Sequence, residues 1–233
     1  MDDLTKFQRF AAITTLVAIP LAIGQAVTSL MAVNYDGGLW SHPSAIITIG
    51  TAQAQILRWS MLLDVFGDYL LFIPLMLFLG SWLKPRSPNF VTFYTLCGLA
   101  YPLIGSVGAI LLTAVLPPLI SQYAQAAASQ RETLQIIFDS FMNAVYLGLW
   151  NPLEVLFFGV WFVGIGWLLR KERHILGMVT FVIGLFTLLD PLGKILQVDT
   201  IFLIGVGWMA LLVPIWLVWI GIDLVRQPVQ SIS

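Results

Sequence analysis

The amino-acid sequence predicts an all-α fold, a polytopic transmembrane bundle of six helices forming one integral membrane domain over residues 1–233. Three observations carry this prediction. Hydrophobic residues fill 59% of the 233 positions and charged residues only 10%, against about 25% charged in an average soluble domain. A chain of that composition cannot cover a water-facing surface. The apolar residues fall in blocks of about twenty positions nearly free of charge, the length a helix needs to cross a hydrocarbon core. Between the blocks stand clusters of Lys, Arg, Pro and Asn.

A hydropathy window of about nineteen residues places the spans near 10–31, 57–82, 91–116, 146–170, 175–195 and 201–225. The first follows Lys6 and Arg9, as a signal peptide would, but it exceeds the usual ~7–15-residue apolar region and reads as an anchor. The second ends at Lys84-Pro85-Arg86-Ser87-Pro88-Asn89. The third is expected to stop at Pro117-Pro118, because proline removes the backbone donor that a helix needs. The fourth ends at Arg170-Lys171-Glu172-Arg173.

Two connections, 32–56 and 117–145, are long. Within the second, Leu134, Ile137, Phe138, Phe141, Met142 and Val145 recur at helical spacing and paint one face apolar. They predict an amphipathic helix on the membrane surface or an extension of the fourth span. Asn151-Pro152 then predicts a kink, since a proline inside a bundle helix leaves one carbonyl without its donor. Gly98, Gly105 and Ala109, and Gly177 with Gly184, are small residues at helical spacing that allow close helix approach. Trp40, Trp82, Trp150, Trp167 and Trp219 fall near span ends and fit an interfacial belt.

Short cytoplasmic connections retain positive charge. Lys6, Arg9, Lys84, Arg86, Arg170, Lys171, Arg173 and Arg226 fall on one side of a six-span arrangement, and Arg58, Arg131 and Lys194 on the other. Eight against three predicts a multi-pass cell-membrane protein with both termini in the cytoplasm.

Ionisable groups inside apolar spans are costly enough to face the bundle interior or a wet cavity. Here they are Asp64 and Asp68 in the second span, Glu154 in the fourth and Asp190 in the fifth, with Gln25 in the first and Asn151 beside Glu154. Asp64 with Asp68, and Asn151 with Glu154, are spaced to share a helix face. At ~1.5 Å of rise per residue, Asp64, Glu154, Gln25 and Asp190 come to a similar level in the outer half, with Asp68 about a turn deeper. The functional expectation is an outward-facing acidic pocket for a cation, a proton or a small amphipathic molecule. The structural alternative is a set of internal ion pairs, Asp190 with Lys194 or a carboxylate with Arg58, since buried charges can serve only to fix packing.

Other chemistries fail on geometry. His42 and His174 lie at opposite ends of the bundle, so they cannot share a metal or haem, and no histidine lies in a span to activate a serine. Lys194, at a helix end, reads as a snorkelling lysine, not a retinal anchor. The lone Cys97 reads as a small core residue. A net charge of -1 offers nucleic acid no attraction. No cofactor and no catalytic residue is expected, and the acid pair lacks a nucleophile or metal. The expected partners are the lipid bilayer and a further membrane protein or second copy; the rival to the pocket is a non-catalytic accessory or assembly subunit of a larger membrane complex.

Ile56-Leu57-Arg58 with Leu62-Leu63-Asp64-Val65, Leu156-Phe157-Phe158-Gly159 with Gly166-Trp167-Leu168-Leu169, Ile175-Leu176-Gly177 and Leu188-Leu189-Asp190 together resemble the bacterial integral membrane family catalogued as domain of unknown function 4386. The resemblance spans roughly residues 8 to 226 and implies a six-helix bundle without an established activity. The sequence departs from the family pattern at Asn151-Pro152.

The charge asymmetry sets a test of orientation. A cysteine introduced by Ser87→Cys is expected to react with a membrane-impermeant reagent only after intact cells are opened, and one introduced by Gln125→Cys before. External labelling at position 87 reverses the orientation.

Overall fold

The computed structural model describes residues 3–40 and 42–226, with the backbone alone at Asn151. Every element among them is helical. Six helices are long and apolar enough to cross a membrane: α1 Asp3–Ala32, α2 Thr51–Arg86, α3 Pro88–Gln125, α4 Ala128–Leu169, α5 His174–Leu196 and α6 Asp199–Arg226. The protein is a multi-pass integral membrane protein. Each helix packs on its chain neighbours, and α1 against α6 closes the set into a ring.

The spans depart from the sequence reading at one end. Short 3₁₀ turns at Gly37–Trp40 and Pro43–Thr48 fill the first long connection, and α2 begins at Thr51. Helix α3 runs through Pro117-Pro118 to Gln125 instead of stopping there. The two prolines cost about 3 kcal/mol each, a typical penalty for a helix interior. Against that cost, Leu112, Leu116 and Ile120, on the same stretch, are at most 1% exposed, and each such burial contributes roughly 1.5–3 kcal/mol. These terms are comparable, so tertiary packing can carry the helix past its local breaker.

The amphipathic helix is present as Ala128–Met142 and is continuous with the fourth span, the second of the two placements its spacing allows. Phe138, Met142 and Val145 are buried, Leu134 and Phe141 half-buried, and Arg131 and Glu132 exposed. Ile137 departs from the series: it is exposed, because it flanks the 134–138–142–145 stripe that faces α3 and the 3₁₀ turns. Around Asn151-Pro152, where the sequence predicts a kink, residues Asn143–Glu154 form a π-helical stretch. The i→i+5 pattern of a π-helix re-registers the backbone around a proline that cannot donate.

Glycines set the close approaches. A methyl on Gly166 of α4 would run into the Phe181 backbone of α5, and one on Gly184 of α5 into Val163 of α4; Gly177 lies against the Arg170 backbone and Gly98 against the Trp161 indole. These small residues therefore serve contacts within the bundle. Two of the five tryptophans pack inward: Trp82 is buried, and half-buried Trp150 donates its indole N–H to the Gly105 carbonyl at 3.1 Å.

The buried residues form two separate apolar clusters. One holds Phe72, Phe78, Phe158, Trp161, Phe162 and Trp216, with the Trp216 indole donating to Thr180 Oγ1 at 2.7 Å. The other holds Ile46, Leu57, Met61, Leu112, Leu116, Phe138 and Met142. Arg86 Nε donates to Glu172 Oε1 at 2.6 Å, so the 84–89 and 170–174 connections share one end. At the other, Gln135 Nε2 donates to the Ser44 carbonyl at 3.0 Å and Gln53 Nε2 to Asn34 Oδ1 at 3.1 Å.

The glycine contacts predict a paired result. Gly166→Ala is expected to destabilise the protein by roughly 1–3 kcal/mol, as overpacking against backbone does, whereas Gly207→Ala, inside α6 with nothing for its methyl to meet, should leave stability unchanged or raise it by up to about 1 kcal/mol. Thermal unfolding in detergent checks both.

Candidate functional site

The acids lie where the two apolar clusters meet. On α2, Met61 belongs to one cluster and Val65 to the other, and Asp64 stands between them. On α4, Val145 belongs to one cluster and Phe158 to the other, and Glu154 stands between them.

Local helix geometry aims these side chains. Asp64 closes a regular α-helical segment and is followed by a π turn, Val65–Tyr69. In a regular helix, Asp64 and Asp68 share a face and Tyr69 turns away from it. The wider π turn, with its i→i+5 closure, swings Tyr69 back toward the face that carries Asp64. Gly67, inside the turn, lies against the α1 backbone at Leu21 and Ala22, where no larger residue fits. Glu154 ends the second π stretch.

The Tyr69 hydroxyl donates to Glu154 Oε1 at 3.0 Å and joins α2 to α4. Its ring lies under Gly105 of α3 and 5.2 Å from the Tyr101 ring, which stacks on Phe158 at 3.8 Å. Asp64 and Asp68, four residues apart on α2, lie within electrostatic reach of each other. Asp190 of α5 is within electrostatic reach of Glu154, and the close approach of Gly205 of α6 to its backbone fixes its position.

Asp64 is 6%, Glu154 5% and Asp190 1% exposed; Asp68 is half-buried. Each of the four keeps one buried oxygen without a hydrogen-bond partner: Asp64 Oδ2, Asp68 Oδ2, Glu154 Oε2 and Asp190 Oδ1. Among the described residues the ion pairs are Arg86–Glu172 and Arg173–Asp223, both at the far end of the bundle. The two basic partners considered for the acids are placed elsewhere. Lys194 sets its ammonium over the Phe202 ring at 3.7 Å and reaches Asp190 only through its field. Arg58 is exposed and faces a groove of about 430 Å³ between α2 and α3, lined by none of the four acids.

Gln25 is half-buried on α1. Its carbonyl accepts from Ser60 Oγ at 3.2 Å, one turn above Asp64, which ties α1 to α2 at this level. The Asn151 side chain lies outside the described residues. Among the described residues, no three His, Cys, Asp or Glu side chains converge as a metal set would. Tyr69 and Tyr101 are the members that reading the acids alone misses. Their sequence signal is a tyrosine deep within a span, away from the interfaces where its hydroxyl would be wet.

Compared with known proteins, the chain matches no curated protein and no solved structure. The sequence model described as "Domain of unknown function (DUF4386)" matches residues 14–222, nearly all of the chain and every one of the acid and tyrosine positions. This six-span integral membrane protein belongs to the DUF4386 family.

Proposed function

We propose that the layer formed by Asp64, Asp68, Tyr69, Glu154 and Asp190 holds and exchanges a proton, so that the protein's activity is proton-linked. With both termini in the cytoplasm, as the charge asymmetry argues, the layer lies in the outer half of the membrane. The observation that carries this reading is the set of carboxyls from α2, α4 and α5, each with a buried, unpartnered oxygen and none ion-paired to a base among the described residues. Like charges at close range in a medium of low dielectric cannot all persist, and unpaired buried charge is expensive. The Asp64–Asp68 pair and the Tyr69–Glu154 bond supply places for a proton. A proton suits the layer better than a divalent ion, since no three acids among the described residues converge on a point.

Titration of the protein in nanodiscs by infrared spectroscopy tests this. The wild type is expected to show protonated-carboxyl absorption that moves on deuteration and changes with pH. Asp64→Asn and Glu154→Gln should each remove part of it while leaving yield and folding nearly intact. In proteoliposomes carrying a pH gradient, Asp64→Asn should slow proton movement at least about tenfold, the loss of one essential charge-assisted contact. Carboxyls that never titrate, or equal proton movement by wild type and variant, overturn the proposal.

Tyr69→Phe separates the contribution of the bridge from that of the acids. Losing the hydroxyl leaves a buried Glu154 oxygen unsatisfied and should cost roughly 1–3 kcal/mol, seen as a lower Tm.

A further inference from the structure

We propose that the groove between α2 and α3 is a binding site for a single phospholipid whose headgroup carries a hydrogen-bond donor beside its phosphate, such as an ethanolamine or a glycerol. The groove encloses about 430 Å³ and is lined by Gln55 and Arg58 of α2 and by Thr113, Ala114, Pro117 and Pro118 of α3, with Ser121 above. Arg58 is exposed and forms no ion pair among the described residues. A guanidinium without a carboxylate suits a phosphate, whose oxygens match its fork of donors.

The level fits. Arg58, two turns into α2, and Lys84, near its other end, are separated by about 39 Å of rise at ~1.5 Å per residue. A bilayer measures about 40–45 Å including its headgroup regions. With Lys84 at one headgroup layer, Arg58 stands in the other, at the depth of lipid phosphates. Below it, a few turns along the same helix, Phe66 and Leu70 are exposed, as are Val107 and Ile110 on α3; these present apolar surface to the acyl chains.

The tandem prolines supply selectivity. Pro117 and Pro118 lack the N–H groups that would bond the Thr113 and Ala114 carbonyls in a regular helix, and all four residues line the groove. The Thr113 hydroxyl is turned to the Ala109 carbonyl at 2.7 Å and does not replace them. The groove therefore pairs one cation with two carbonyls deprived of their helical donors. An ethanolamine ammonium or a glycerol hydroxyl satisfies such carbonyls, and a choline headgroup, having no N–H or O–H, does not.

Native mass spectrometry of the detergent-released full chain, offered phosphatidylethanolamine, phosphatidylglycerol and phosphatidylcholine of identical acyl chains, tests the site. The expected result is one lipid retained from either of the first two, about tenfold more tightly than phosphatidylcholine, with Arg58→Gln reducing retention about tenfold. Arg58→Lys, which keeps the charge without the fork, should fall between. Should Arg58→Gln fail to fold, the headgroup preference of the wild type together with Arg58→Lys decides. Equal retention of all three lipids, or undiminished retention by the Arg58 variants, overturns the proposal. Displacement of the bound lipid by an equal concentration of free glycerol phosphate also overturns it, by reassigning the groove to a soluble phosphate.

Discussion

Carboxyl groups placed between two apolar cores must be satisfied without water, and the Tyr69–Glu154 hydrogen bond is where this bundle meets that demand. It crosses from α2 to α4 at the level where one apolar cluster ends and the other begins. The surrounding packing follows from seating that phenol. Gly105 leaves room for the ring, Tyr101 and Phe158 wall it in, and Trp150 ties α3 to the same level through the Gly105 carbonyl.

Both strands of this contact depend on departures from regular helix. A π turn costs backbone regularity and is seldom kept unless something is gained. Here one turn carries Asp68 and Tyr69 and the other ends at Glu154. Widening the helix at each point re-aims a side chain that 3.6-residue periodicity would send elsewhere. The proline at position 152 makes the second departure easier, since the regular ladder is already broken there. Polar chemistry and irregular backbone thus occupy the same layer, while the flanking layers are regular and apolar.

Six spans, their order and the presence of acids within them are legible from composition and hydropathy because lipid imposes a length and a polarity on every crossing. The helix ends at 117–128 are not legible. Pro117-Pro118 is a strong local stop, and only the burial of Leu116, Ile120 and Phe138 against distant partners overrides it. The pairing of Asp190 with Lys194 and of an acid with Arg58 is likewise inferred from spacing alone, whereas the structure turns Lys194 to Phe202 and Arg58 to a groove. Ile137 shows the same limit, since periodicity marks a face without saying where its edge falls. Tyr69 is hidden for a different reason: its position five residues after Asp64 is uninformative until the π turn is known.

The continuity of α3 and α4 with their extensions has a mechanical consequence. A 38-residue helix is about 57 Å long at ~1.5 Å per residue, well beyond the ~30 Å hydrocarbon layer. Because Phe138 and Met142 share an apolar cluster with Leu112 and Leu116, the surplus length of α3 is packed together with the start of α4. It turns at Ala126–Ala127 and returns as the start of α4, so one uninterrupted run of helix joins that turn to Glu154.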